Sequence, residues 1–157
     1  PTEVEIGHIR LDKSGAILEE SCSGWAVDKK IRNYIRANPD TTLAGLIDTK
    51  EGGEARYLVE AIQGGDSGAI QLLQDTADDL AFGLSHAVHL FNPEIIILGG
   101  GLSFLGFTYI DMINERLSGY IMKAMNPPEI RPAGLGEDVV CLGASLLAKD
   151  IFSGKKL

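Results

Sequence analysis

The segment from Asp66 to Gly101 constrains the fold more than any other part of the chain. After Asp66-Ser67, apolar residues recur at Ile70, Leu73, Ala77, Leu80, Leu84, Val88 and Phe91. Intervals of three and four lay one continuous stripe along a long helix. Asn92-Pro93 ends it, because the residue before a proline is pushed out of the helical region. Next comes Glu94-Ile95-Ile96-Ile97-Leu98, a run apolar on both faces, followed at once by Gly99, Gly100 and Gly101. Such a run predicts a buried parallel strand entering a close-approach turn. A striped helix feeding a buried strand belongs to an α/β layer structure.

The remaining elements fit around that pair. Residues 4 to 11, Val-Glu-Ile-Gly-His-Ile-Arg-Leu, alternate with period two and predict a strand with one mixed face, followed by a turn through Asp12 to Gly15. From Ser23, a capping residue, a helix is expected with Trp25, Ile31, Tyr34 and Ile35 at helical spacing, stopped by Asn38-Pro39. Two shorter helices are predicted over 41 to 48 and 53 to 63, parted by Gly52-Gly53, with Asp40 or Thr41 as a cap. A second long helix carries Tyr109, Met112, Ile113, Leu117, Tyr120 and Ile121. It leads through Pro127-Pro128 to a short strand at 129 to 132 and a final helix from Gly136 through Ile151.

Composition narrows the function classes. With 157 residues, 45% hydrophobic and 23% charged, the chain supports one compact domain. A net charge of -8 and a pI near 4.8 repel phosphate backbones and anionic lipid, and only Lys29-Lys30-Ile31-Arg32 runs against that. Nucleic acid is therefore not an expected partner of this segment. Cys22 and Cys141 form no C-x-x-C pair, which fits a reduced cytoplasmic protein whose thiols are small core groups. The longest apolar stretch is broken by glycines and falls short of the roughly 20 residues a spanning helix needs, so neither a membrane segment nor a signal peptide is expected. Pro1 has no methionine ahead of it and the strand pattern starts within three residues; the chain reads as the back part of something longer.

Three groups of residues carry candidate chemistry. Gly99, Gly100 and Gly101 stand where open α/β sheets bind ligands, and two readings remain open: a tight turn, or close approach of a nucleotide to bare backbone. Glu5, His8 and Glu19 offer the several hydrogen bonds that a polyhydroxylated ligand requires, although each taken singly reads as a solvated group. A regular strand would send Glu5 and His8 to opposite faces, whereas a bulge at Gly7 would bring them toward one site. His86 and His89, three apart on the long helix, lack a carboxylate or thiol at ligand spacing and read as helix-face residues. Around the last helix start, Gly136, Gly143 and Ala144 suggest close helix packing or a cleft lining, with Glu137 and Asp138 complementing the helix dipole.

Taken together, Glu-Ile-Gly-His-Ile, Leu-Glu-Glu-Ser-Cys-Ser-Gly-Trp-Ala-Val, Asn-Pro-Glu-Ile-Ile-Ile-Leu-Gly-Gly-Gly-Leu-Ser and Gly-Leu-Gly-Glu-Asp-Val-Val-Cys-Leu-Gly-Ala-Ser-Leu-Leu-Ala resemble, in this order, the ROK family of sugar kinases and sugar-responsive repressors. The resemblance implies an actin-like, hexokinase-type ATPase fold of the ribonuclease H-like class, with residues 1–157 forming its C-terminal lobe and the N-terminal lobe absent from this chain. It implies that Glu5, His8 and Glu19 bind sugar hydroxyls and that Gly99, Gly100 and Gly101 contact the nucleotide. Implied ligands are ATP with Mg²⁺ and a hexose or N-acetylhexosamine; the implied setting is a cytoplasmic homo-oligomer. The family's zinc-binding cysteine loop is shortened away, Ile17 stands at the place of its third cysteine and Cys22 falls outside the pattern, so no structural zinc is expected. In its place the Cys22-Ser23-Gly24-Trp25 turn is expected to hold Glu19 by packing. No catalytic residue is assigned within the chain, since the family's catalytic aspartate and phosphate loops lie ahead of Glu-Ile-Gly-His, and the chain alone is expected to be inactive. The implied function is part of a glucokinase-like hexose kinase, with the sugar-sensing domain of a repressor as the alternative and a lobe used only for association as a third.

Overall fold

The computed structural model describes residues 5–47 and 51–154. Val4 and Asp48, at the edges of two predicted elements, and the side chain of Glu137 lie outside the described residues.

Seven α-helices and two strands make up the described regular structure, joined by 3-10 turns. Helix α1 (Leu18–Cys22) leads into α2 (Gly24–Ala37), whose N-cap Ser23 accepts from the Ala26 N–H at 3.3 Å. Helix α3 (Thr42–Leu46) is capped by Thr41, and α4 (Leu58–Gln63) follows a 3-10 turn at Glu54–Tyr57. Helix α5 (Ser67–Phe91) runs as its stripe predicts, capped by Asp66 through the Gly68 and Ala69 N–H groups and closed by Asn92 in the left-handed region. Strand β1 (Ile95–Leu98) pairs in parallel with β2 (Glu129–Pro132), Ile95 opposite Glu129 and Leu98 opposite Pro132, and α6 (Gly106–Tyr120) makes the crossover. The last helix is α7 (Val139–Phe152).

The core lies between α5 and α6. Leu73, Ala77, Leu84 and Val88 of the stripe are buried with Ile110, Ile113 and Leu117 of α6, and α2, α3 and α4 add Ile31, Leu43 and Leu58. Fully burying each such side chain contributes about 1.5 to 3 kcal/mol, so this cluster is what holds the fold.

Several expectations are corrected. The predicted strand over 4 to 11 is instead a 3-10 turn at Ile6–His8, followed by a single antiparallel bridge between Arg10 and Ile17. No longer partner strand lies beside it among the described residues, so its backbone closes locally, His8 N–H to Glu5 C=O at 3.2 Å and Ile9 N–H to Ile6 C=O at 3.0 Å. Residues 18–22, given no element by the sequence pattern, form α1. Strand β1 is parallel as predicted but buried on neither face: Ile96 and Leu98 pack on the core only partly, while Ile95 and Ile97 face out. Trp25 stands half exposed on α2, whose buried face is built from Ala26, Val27 and Ile31. Helix α7 buries none of its side chains, leaving Phe152 93% and Val140 75% exposed, so Gly143 mediates no close packing and Cys141 is no core thiol. No helix among the described residues is long and apolar enough to cross a membrane.

Candidate functional site

The sequence from Glu5 to Cys22 folds back on itself. Asp12 accepts from the Ser14 and Gly15 N–H groups at 2.7 and 3.1 Å, and Gly15 takes φ of +109°, which closes a tight loop. The Leu11 N–H then donates to Ala16 C=O at 2.8 Å and the Leu18 N–H to Ile9 C=O at 2.9 Å. This returns α1 to the 3-10 turn and sets Glu19 against its middle residue. A Cβ on Gly7 would lie 3.3 Å from Glu19 Cβ and 3.6 Å from Glu19 Oε2. Glu5 and His8 bound that same turn, and all three side chains are exposed. A turn, not a bulged strand, thus carries Glu5 and His8, and Glu19 packs against its middle residue.

Helix α1 rests on α5. Leu18 straddles Gly83, where a Cβ would meet Leu18 Cδ1 at 2.7 Å. Ser21 Oγ donates to Asp79 Oδ2, Lys30 Nζ of α2 donates to Ser21 Oγ at 3.1 Å, and Lys30 pairs with Asp79 at 3.6 Å. The buried Cys22 Sγ donates to Thr76 C=O at 3.6 Å. The loop and these α5 contacts, one of them made by Cys22 of the Cys22–Trp25 turn, hold Glu19's helix. The sequence pattern missed Ser21, Lys30, Asp79 and Gly83; a glycine inside a strong helical stripe was the available signal, because it marks a close crossing.

A concavity of about 620 Å³ opens beyond the carboxyl end of β1, lined among others by Asp28, Gly53, Arg56, Gly101, Phe104 and Gly136. Of the three consecutive glycines, Gly101 belongs to this lining and Gly99 and Gly100 form the approach from β1. Gly100 takes φ of +82° with ψ of -177°, a region open in practice to glycine alone, so the tight turn is real. A Cβ at Gly101 would meet nothing within 4 Å, which leaves the lining free for a ligand. Asp28 Oδ2 and Oδ1 accept from the Gly53 and Ala55 N–H groups, each at 2.8 Å, and this anchors the opposite wall. Asp28, Arg56 and Phe104 escaped the sequence reading; the Gly52-Gly53 pair, both at positive φ, marked the turn before Arg56, and the three glycines marked the segment that carries Phe104. The lining thus combines apolar side chains and bare backbone with the Arg56 cation and the carboxylates of Asp28 and Asp138.

Among the described residues no group of three or more His, Cys, Asp and Glu side chains is gathered closely enough to hold a metal ion. Burial, with Asp79 nearby, pushes the Cys22 thiol up to about 12. Cys141 lies on α7. His86 Nδ1 lies 3.1 Å from Phe82 C=O in its own helix, and His89 Nε2 accepts from the Met122 N–H at 3.3 Å. Each imidazole is thus engaged by backbone.

The glucokinase of Thermotoga maritima is 28% identical over 159 residues, a match spanning 96% of this chain and 50% of the glucokinase. The crystal structure of a ROK family glucokinase from Streptomyces griseus, in complex with glucose and AMPPNP, superposes with a TM-score of 0.76 at 27% identity, over 91% of this chain and 50% of that one. A ROK family transcriptional regulator, described as a homologue of the E. coli MLC protein, shares the fold at a TM-score of 0.62 and 20% identity, over 82% of this chain and 33% of its own. The chain thus spans about half the length of the glucokinases it matches, and its mixed α/β architecture is that of part of the actin-like ATPase fold of the sugar kinases. With the family's sequence profile matching residues 2–151, the chain belongs to the ROK family.

Proposed function

We propose that this chain is the C-terminal lobe of an ATP-dependent hexose kinase of the glucokinase type. The observation that supports the reading is the packing of Glu19 on Gly7, inside the turn that carries Glu5 and His8 and apart from the cleft that Gly101 lines. In this reading Glu5, His8 and Glu19 bind a hexose or N-acetylhexosamine. Gly99, Gly100 and Gly101 let the nucleotide approach the backbone, with Arg56 near its phosphates and Phe104 near its apolar part. A charge-assisted hydrogen bond from a sugar hydroxyl to a carboxylate contributes about 1.5 to 3 kcal/mol, enough to set orientation. Mg²⁺ would be held chiefly by phosphate oxygens and water, and asks little of this lobe. The base that activates the sugar hydroxyl and the remaining phosphate contacts are assigned to the other lobe, so this chain alone does not turn over.

The lobe assignment draws support from the exposed apolar surface. Ile95 and Ile97 on β1 and the apolar side chains of α7 are exposed, and we assign these surfaces to contact with the other lobe. We further place the complete protein in the cytoplasm, as a homo-oligomer, with no structural zinc. The deciding experiment is a coupled ATP-dependent assay of the complete polypeptide against glucose and a panel of hexoses and N-acetylhexosamines. Turnover with one of these sugars is expected. Specific operator binding without turnover of any sugar would replace the kinase reading with that of a sugar-sensing repressor, a role the regulator of the same fold makes concrete.

A further inference from the structure

Helix α1 carries Glu19 yet has five residues, too few to hold a helical backbone by itself in water. Its orientation must come from outside. Three of its five side chains point to the source: Leu18 crosses Gly83, Ser21 donates to Asp79, and Cys22 donates to the Thr76 carbonyl. Thr76, Asp79 and Gly83 follow one another at three and four residues, so they form a single stripe on α5. The other two side chains of α1, Glu19 and Glu20, are exposed.

The three ties differ in kind. Leu18 over Gly83 sets how close α1 approaches, but a leucine side chain slides. Directional bonds are needed to fix rotation about a short helix: Ser21 to the Asp79 carboxylate supplies the charge-assisted one, and the weak thiol donor of Cys22, 3.6 Å from the Thr76 carbonyl, adds little to it. Lys30 of α2 locks that pair from a third helix, 3.1 Å from Ser21 Oγ and 3.6 Å from the Asp79 carboxylate. We infer that Asp79, acting through Ser21, is the positioning residue that sets the rotation of α1 and so places the Glu19 carboxylate, a metal-free clamp for the sugar site. This rests on the reading of Glu19 as a sugar ligand given above.

The test uses the complete polypeptide, with glucose and N-acetylglucosamine as probes in calorimetric binding and in steady-state kinetics. Ser21→Ala and Asp79→Ala are each expected to weaken sugar binding about fivefold to tenfold, with the nucleotide KM within about twofold of the parent. The unchanged nucleotide KM shows that the variants are folded. Asp79→Asn retains an acceptor for Ser21 and is expected to recover most of the loss. The Ser21→Ala, Asp79→Ala double variant should be no weaker than Asp79→Ala alone, because both remove one tie. Treatment with a zinc chelator should leave sugar affinity unchanged. If Glu19→Gln weakens sugar binding while Ser21→Ala and Asp79→Ala do not, or if chelation abolishes binding and zinc restores it, the clamp is overturned and the sugar site stands. If Glu19→Gln has no effect, or the parent binds neither sugar, both fall.

Discussion

Glu19 lies across Gly7 so closely that a Cβ there would come within 3.3 Å of Glu19 Cβ. Glycine at this position therefore serves approach, not an unusual backbone angle. Gly7→Val should push Glu19 off the turn and weaken sugar binding by the complete polypeptide about tenfold, with Gly7→Ala falling between it and the parent. Glu5→Gln and Glu19→Gln should each cost about 1.5 to 3 kcal/mol of sugar affinity. Titration calorimetry with glucose reads all four, and unchanged affinity in the Gln variants would remove both carboxylates from the site.

The Leu18–Gly83 crossing allows a stability test. Gly83→Ala places a methyl 2.7 Å from Leu18 Cδ1 and should destabilise the fold by about 1 to 3 kcal/mol in urea titrations, despite alanine's better helix propensity. Combining it with Leu18→Ala should cost less than the sum of the two single changes, since the new methyl enters the space the leucine leaves. Strict additivity would mean that the two residues do not touch.

The three glycines should separate by role. Gly100→Ala forces a side chain into a backbone region reserved for glycine and should cost about 1 to 3 kcal/mol of stability. Gly101→Ala meets nothing within 4 Å in the free protein and should leave the melting temperature near that of the parent. Its penalty should instead appear as weaker binding of AMPPNP by the complete polypeptide. Equal nucleotide affinity in the Gly101 variant would move the nucleotide away from this cleft.

Thiol labelling probes the lobe assignment. In this chain alone Cys141, exposed on α7, should react promptly with a disulfide reagent, whereas Cys22, buried and pushed up to about 12, should react only on unfolding. In the complete polypeptide Cys141 should become protected, if the other half of the fold covers α7. Equal reactivity of Cys141 in both forms would count against that cover.

Acid should weaken the fold through two carboxylates. Burial alone would raise both, but the Leu43 N–H and Tyr34 hydroxyl outweigh it at Asp66, and the Gly52 N–H and Arg32 outweigh it at Glu54. Both therefore sit below their ordinary values of 3.8 and 4.5. Their contribution is complete above those values and is lost as pH falls through the lowered ones, because the unfolded chain takes up its protons first. Urea midpoints should begin to drop below about pH 4.5. Asp66→Asn, less stable at neutral pH, should show a shallower decline, and an unaltered decline would exclude Asp66 as a source.

Much of the fold could be read from local pattern. The stripe from Ile70 to Phe91 predicts α5, Ser23, Thr41 and Asp66 act as the caps their chemistry suggests, and Ile95–Leu98 pairs in parallel with 129–132. Residues 5–10 misled the period-two reading because alternation reports which faces are apolar, and says nothing of whether a neighbouring strand is present to accept the backbone. Helix α7 misled it in the opposite sense: its apolar content implies burial, and the described residues offer nothing to bury it against.

The same division runs through the candidate site. The identities of Glu5, His8, Glu19 and the three glycines, and the absence of a cysteine loop ahead of Leu18, are properties of the sequence, since residue type and order suffice to carry a family resemblance. Their arrangement is not. A five-residue helix has no orientation of its own, and only the packing of α1 on Thr76, Asp79 and Gly83, more than fifty residues away along the chain, decides that Glu19 comes to rest against Gly7.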